Sequence, residues 1–266
     1  MLKKLLKSMV AIVLCGSLVN SSLVSAEELK KIKIGASPNV VDVVGAMTDS
    51  LEKLGYELEV VSFDDTILPN TALAEKSIDA NLYQHEPFLN AYNEEHDTDL
   101  YFVKPLFGGF TALYSEKYDK LEDIPENAKI GIFDDSSNQH RALVLAQETG
   151  LIKLKEKAEG ELYSVLDIEE NPKNIYFKPL QSKVLVTSIG EMDAIFAQGT
   201  SMFLAEKDPS SYLVKESDNK PYGIGLVVNP EDKDAEWIED VIKAFQTDDT
   251  KQKIEDRYKG SYVFFD

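Results

Sequence analysis

The 266-residue chain carries 47 acidic against 28 basic side chains, a formal net charge of −19, which excludes partners held through phosphate charge such as nucleic acid. Its single cysteine, Cys15, excludes a disulfide framework and any cysteine-based metal site. A hydrophobic content of 43% over this length is enough for one large core or two modest ones.

The chain begins with Lys3, Lys4 and Lys7, followed by an apolar run from Met9 to Leu14 and small residues ending at Val24-Ser25-Ala26. This is the pattern of a secretory signal peptide, and its apolar centre is shorter than the roughly 20 residues of a spanning helix. Cleavage is expected after Ala26. The competing reading, lipid attachment at Cys15, meets Leu14 where a small residue is expected. Removing residues 1–26 takes away three lysines and no acid, so 25 basic residues face 47 acidic ones and the net charge becomes −22. Such a charge keeps an exported chain soluble.

Beyond the leader, Lys31 to Pro38 alternates and breaks at Gly35 and Pro38, predicting a strand that runs into a loop. A helix is expected from Val41 to Leu54, closed by Gly55, and then a second strand from Tyr56 to Phe63. Pro69 to Ile78 has helical spacing and leads to Asp79-Ala-Asn-Leu-Tyr-Gln-His-Glu-Pro-Phe-Leu89. This stretch places His85, two amides and the aromatics Tyr83 and Phe88 where an apolar strand ends. In an open α/β sheet, ligands bind beyond the carboxyl ends of strands. The plainer reading makes His85 a satisfied structural histidine and the aromatics core.

Tyr101 to Tyr114 is apolar and broken by Gly108 and Gly109, and a second unit repeats the plan. Lys129 to Phe133 reads as a strand, Asp134 to Asn138 as a capping loop, and Gln139 to Thr149 as a helix. A strand over Asn174 to Pro179, a helix over Ser182 to Ile189 and a strand over Asp193 to Ala197, running into Gln198-Gly-Thr200, follow. Gly223 to Asn229 is a late apolar strand that returns the chain to the first lobe, before helices at Ala235 to Gln246 and Lys251 to Lys259. The expected fold is α/β and two-lobed, with a ligand cleft between lobes and two hinge crossovers. Residues 1–26 form the leader, 27–113 with 223–266 the first lobe, and 114–222 the second.

Arg141 is expected in the first turn of its helix, where unpaired backbone N–H groups and a guanidinium fork together suit a carboxylate. The alternative pairs Arg141 with Asp134 or Asp135. No nucleophile elbow, zinc helix, phosphate loop or dinucleotide turn is present. The three histidines, at 85, 96 and 140, lack a ligand cadence, so neither metal nor cofactor is expected. An enzyme using His85 and Glu86 as an acid–base pair is the alternative to a binding protein, and Pro87 with the missing nucleophile argues against it.

Several ordered blocks resemble the MetQ/NlpA family, the bacterial methionine-binding lipoproteins that serve ABC importers. They are Asp79 to Leu89, Ser136-Ser-Asn-Gln-His-Arg-Ala-Leu143, Gly150 to Lys155, Asp167 to Asn174 and Arg257-Tyr-Lys-Gly260. The resemblance implies a periplasmic-binding-protein fold of type II-like plan, without enzymatic activity, that delivers a small amino-acid-like carboxylate to a membrane permease and its ATPase. A ligand-sensing partner of a membrane receptor would share the binding step. Tyr83, His85 and Phe88 fall on the family's pocket wall and Arg141 on its carboxylate clamp. The family's pocket tyrosine and two asparagines fall on Thr66, Thr200 and Ile224, and Asn138 and Gln198 are the amides able to replace them. The implied ligand keeps a carboxylate for Arg141 but lacks or moves the α-ammonium, or is a bulkier amino acid than methionine.

Overall fold

A computed structural model describes residues 29–265, so the leader, with both its Ala26 and Cys15 readings, lies outside the described residues. The first strand, β1 (Lys30–Ala36), pairs in parallel with β2 (Tyr56–Ser62). Parallel neighbours need a crossover that carries the chain back to the same end. Here it consists of α1 (Val41–Gly45) and α2 (Thr48–Glu52) instead of the one helix expected. The break follows from Gly45, a poor helix former, and from the Thr48 hydroxyl, which donates to the Gly45 carbonyl at 2.8 Å.

The chain continues through α3 (Leu68–Ala74), β3 (Ala80–His85), α4 (Glu86–His96), β4 (Tyr101–Gly108), β5 (Thr111–Tyr114), β6 (Lys129–Phe133) and α5 (Ser136–Glu148). A small hairpin, β7 (Lys153–Leu154) with β8 (Ile168–Glu170), precedes β9 (Tyr176–Leu180), α6 (Ser182–Thr187), β10 (Ala194–Gln198), α7 (Gly199–Leu204) and β11 (Tyr212–Lys215). The last elements are β12 (Ile224–Val228), α8 (Glu236–Gln246), α9 (Asp248–Tyr258) and β13 (Val263–Phe264).

Besides the β7-β8 pair, two large sheets result among the described residues, in the orders β13-β4-β12-β3-β1-β2 and β11-β5-β10-β6-β9. Each has its own core. Ile34, Val44, Met47, Leu51, Leu82 and Phe245 are fully buried around the first sheet, and Leu113, Tyr114, Ile130, Leu143, Ile195 and Phe196 around the second. The two-lobed α/β plan thus holds, with one crossover at Gly109–Phe110 and the return between β11 and β12. Thr111 to Leu113, expected in the first lobe, pair with Phe196 to Gln198 in the second sheet. Alternation alone could not separate β4 from β5, because both are apolar and only the two glycines mark the crossing.

The cleft end of β3 depends on an irregularity. Gly225 of β12 faces Gln84 and Leu226 faces Leu82, so Tyr83 is an extra residue without a cross-strand partner. A bulge of this kind re-aims the side chains beyond it. Asn81 and Gln84 would otherwise point to opposite faces; here they meet, with the Gln84 Nε2 donating to the Asn81 Oδ1 at 2.9 Å. Asn70 of α3 completes the cluster, donating to the Gln84 Oε1 at 3.0 Å and accepting from Asn81 at 2.9 Å. The two amides of β3 therefore fix α3 to the sheet, and the Tyr83 hydroxyl reaches the same end of α3 through the Thr66 carbonyl, while His85 turns to cap α4.

Truncating Asn70 to Ala leaves the buried Gln84 Oε1 without its donor and Asn81 with only the longer contact to the Pro69 carbonyl, at a cost of about 2 kcal/mol. Urea unfolding of Asn70→Ala should show a lower midpoint with an unchanged m-value. A stability within ~0.5 kcal/mol of wild type would show that the cluster does not hold α3.

Candidate ligand-binding site

His85 ends β3 and caps α4. Its Nδ1 accepts the backbone N–H of Phe88 at 3.1 Å, which leaves the proton on Nε2. The Nε2 lies 3.2 Å from the Asn138 Oδ1 on the second lobe, so the imidazole donates across the cleft. The orientation of Asn138 is fixed from behind, because its Nδ2 donates to both carboxylate oxygens of Asp135 at 3.0 and 3.1 Å. A second bridge joins the lobes where the Asn39 Nδ2 donates to the Ser201 Oγ at 3.2 Å.

Asp135 is the N-cap of α5, accepting the Asn138 N–H at 2.8 Å. The helix therefore begins at Ser136, earlier than the Gln139 expected, and Arg141 stands in its second turn. The expectation of a ligand carboxylate at the helix start is corrected accordingly: the Asp135 carboxylate already fills that place. Burial raises the Asp135 pKa, with the hydrogen bonds from Asn138 opposing it.

The Arg141 side chain is 4% exposed and its partner is Glu216, neither Asp134 nor Asp135. Its Nε donates to the Glu216 Oε2 at 2.7 Å and its Nη2 to the Oε1, a two-pronged pair that sequence reading missed among 47 acids. The Tyr222 ring lies between the two basic groups, with the guanidinium carbon 4.2 Å from its centroid and the His85 ring in edge contact at 5.2 Å. Burial, and secondarily Arg141, lowers the His85 pKa to about 3, so the imidazole is neutral.

Tyr83, His85 and Phe88 form one wall, with the Phe88 ring edge-on to both others at 6.2 and 6.3 Å. Ile224 is the cross-strand neighbour of His85. Thr200 is buried near the start of α7, and Gln198 pairs through its backbone with Thr111. Phe110 closes against Gly199, where an added Cβ would meet its ring atoms at 2.5 to 2.9 Å. Thr66 stands apart: it is exposed, and only its carbonyl takes part, accepting the Tyr83 hydroxyl at 2.7 Å. An open groove of about 670 Å³ runs along the α4–α5 seam, lined by Ala91, Glu94, Glu95, Ser136, Lys157 and Glu161 among others.

An acid–base pair of His85 with Glu86 does not form. Both ring nitrogens of His85 are engaged, and Glu86 is exposed. Among the described residues, no three His, Cys, Asp or Glu side chains gather as a metal site would require.

The neutral His85 gives stability a pH dependence. Its folded pKa lies below the ordinary 6.5, so between 6.5 and about 3 the unfolded chain binds a proton that the folded chain does not. Its contribution is complete above pH 6.5 and falls with acidification through that window, by at most about 1.4 kcal/mol per pH unit. Unfolding free energies at pH 7 and 5 should drop less in His85→Gln than in wild type; equal drops would refute the assignment.

The NlpA lipoprotein family model matches residues 32–264. "D-methionine-binding lipoprotein MetQ" of Escherichia coli (strain K12) is 32% identical over 234 residues, covering 86% of this chain and 85% of the relative. A nutrient binding protein from Burkholderia cenocepacia, solved bound to methionine, superposes with a TM-score of 0.83 at 32% identity over 88% of this chain and 99% of its own. A periplasmic substrate-binding protein of an ABC transporter from Coxiella burnetii gives 0.83 at 26% identity, over 88% of this chain and 100% of its own. With a family match running from the first strand to the last, the chain belongs to the NlpA lipoprotein family.

Proposed function

We propose that this chain is the extracytoplasmic substrate-binding protein of an ABC importer, capturing a small amino-acid-like ligand between its lobes for a membrane permease and its ATPase. The observation that carries the reading is the interlobe cluster of His85, Asn138, Arg141 and Tyr222, a cationic group among aromatic and amide groups at the meeting of two lobes. The relatives support it: one is named for an ABC transporter, another for binding D-methionine, and a third is solved bound to methionine. Binding, not catalysis, is the activity these relatives point to.

In this reading Arg141 meets the ligand carboxylate, Tyr83 and Phe88 face the side chain, and Thr200 and Ile224 leave fewer polar partners for the ammonium than two asparagines would. Each missing hydrogen bond to a charged group costs on the order of 1.5 to 3 kcal/mol. Methionine is therefore expected to bind roughly a hundredfold more weakly than a site with both amides would hold it.

A thermal-shift panel of L- and D-amino acids on the chain from residue 27 onward tests the reading. A ligand at 100 times its Kd adds roughly 2.7 kcal/mol, or about 5–10 °C for a chain of this size. Arg141→Lys keeps a charge opposite Glu216 but removes the planar fork, and should weaken the responding ligand at least about tenfold. A panel without any shift would refute the proposal.

The protein is proposed to be exported with cleavage after Ala26, and no helix among the described residues is long and apolar enough to cross a membrane. Intact mass of the secreted form should place its N-terminus at Glu27. An acylated N-terminus at Cys15 would overturn this and put the protein on a membrane surface.

A further inference from the structure

The Arg141–Glu216 pair holds more than charge. Both side chains are over nine-tenths buried, at 4% and 8% exposure. Glu216 is the first residue after β11, where the chain starts back toward the first lobe. Its Oε1 accepts the Thr111 N–H at 2.8 Å, and its own N–H donates to the Thr111 carbonyl at 3.1 Å, immediately past the outward crossover. The Gly109 carbonyl on that crossover accepts from the Arg141 Nη2 at 3.3 Å and from the Asn219 Nδ2, on the return, at 3.1 Å. One carboxylate thus ties the guanidinium to both crossovers.

A guanidinium offers five N–H groups in a fixed plane. Glu216 takes the Nε and one Nη2 hydrogen, and Gly109 takes the other. The two Nη1 hydrogens have no hydrogen-bond partner among the described residues. We propose that Glu216 is the positioning residue of the site: it locks Arg141 so that the Nη1 edge alone is offered to a ligand, and it cancels the guanidinium charge. This rests on the reading of the cleft as an amino-acid site and gives that reading a charge rule. A ligand bearing only a carboxylate adds an uncompensated negative charge close to Glu216, whereas one that also carries an ammonium adds none. The rule reverses the expectation, drawn from Thr200 and Ile224, of a ligand without the ammonium.

Two measurements test it, with Glu216→Gln as an isosteric variant that removes the charge and replaces one of the two accepting oxygens by an NH2 donor, which breaks one prong of the pair. The chain has two arginines, Arg141 and Arg257, so nitrogen-edited proton spectra show two Nε–H signals. Arg257 pairs with Asp42 on the surface, which leaves the slowly exchanging signal to Arg141. Its exchange should speed up at least tenfold in Glu216→Gln. A wild-type signal without protection, or equal protection in the variant, overturns the positioning role.

Titration with L-methionine and with its des-amino analogue 4-(methylthio)butanoate reads the charge role. The affinity ratio should move at least tenfold toward the analogue in Glu216→Gln. A variant that weakens both equally has a structural defect only, and the charge rule falls. If wild type binds neither probe nor any amino acid of the panel, the charge rule falls with the reading of the cleft, while the exchange measurement still decides the lock.

Discussion

A guanidinium and a carboxylate that are both withdrawn from water persist only as a pair with most of their hydrogen-bonding capacity used. Each costs several kcal/mol to desolvate, and their attraction offsets this only with good geometry. Arg141 and Glu216 meet the condition through two parallel bonds, with Gly109 and Thr111 taking up further capacity and Tyr222 covering the guanidinium face. Apolar side chains of similar volume would serve stability as well. What the pair adds is direction: a fixed donor edge, and a link between the two strands that pass from lobe to lobe.

The strand that ends at His85 carries two chemistries in six residues, an amide cluster that holds α3 and a histidine that caps α4. Asn81 and Gln84 are consumed by Asn70, the Tyr83 hydroxyl is taken by the Thr66 carbonyl, and His85 is the member that bonds to the second lobe. His85 is held neutral by burial and by the nearby Arg141, and its proton sits on Nε2 because Nδ1 caps α4. It therefore contributes a hydrogen-bond donor and an aromatic surface but no charge. Asp135 completes the relay by fixing which end of the Asn138 amide faces His85.

Beyond the covalent crossovers, the lobes meet through hydrogen bonds and through apolar packing, with Phe203 and Leu204 of α7 set against the core of the first sheet. His85 to Asn138 and Asn39 to Ser201 are single neutral hydrogen bonds, each worth about 1 kcal/mol net. A ligand contacting both lobes contributes more than either, so its differential contacts can set the balance between open and closed forms.

The residues by themselves determined the plan: alternation and glycine breaks marked the two β-α-β units, and the late apolar strand from Gly223 implied the return crossover. The polar end of the Asp79 to Leu89 stretch marked the strand end that meets the second lobe, and the plainer reading of it also fits, with His85 buried and both ring nitrogens engaged and Tyr83 and Phe88 in the core. The tertiary structure decided what depends on distance between remote positions. Glu216 gave no local signal, since its partner is 75 residues away and any of many acids could have paired with Arg141. The bulge at Tyr83 arises from register against β12, which a strand's own residues do not encode, and it brings Asn81 and Gln84 together. The start of α5 was not fixed locally either: several residues between Asp134 and Asn138 can cap a helix, and the structure uses Asp135, whose carboxylate also holds the Asn138 amide that meets His85.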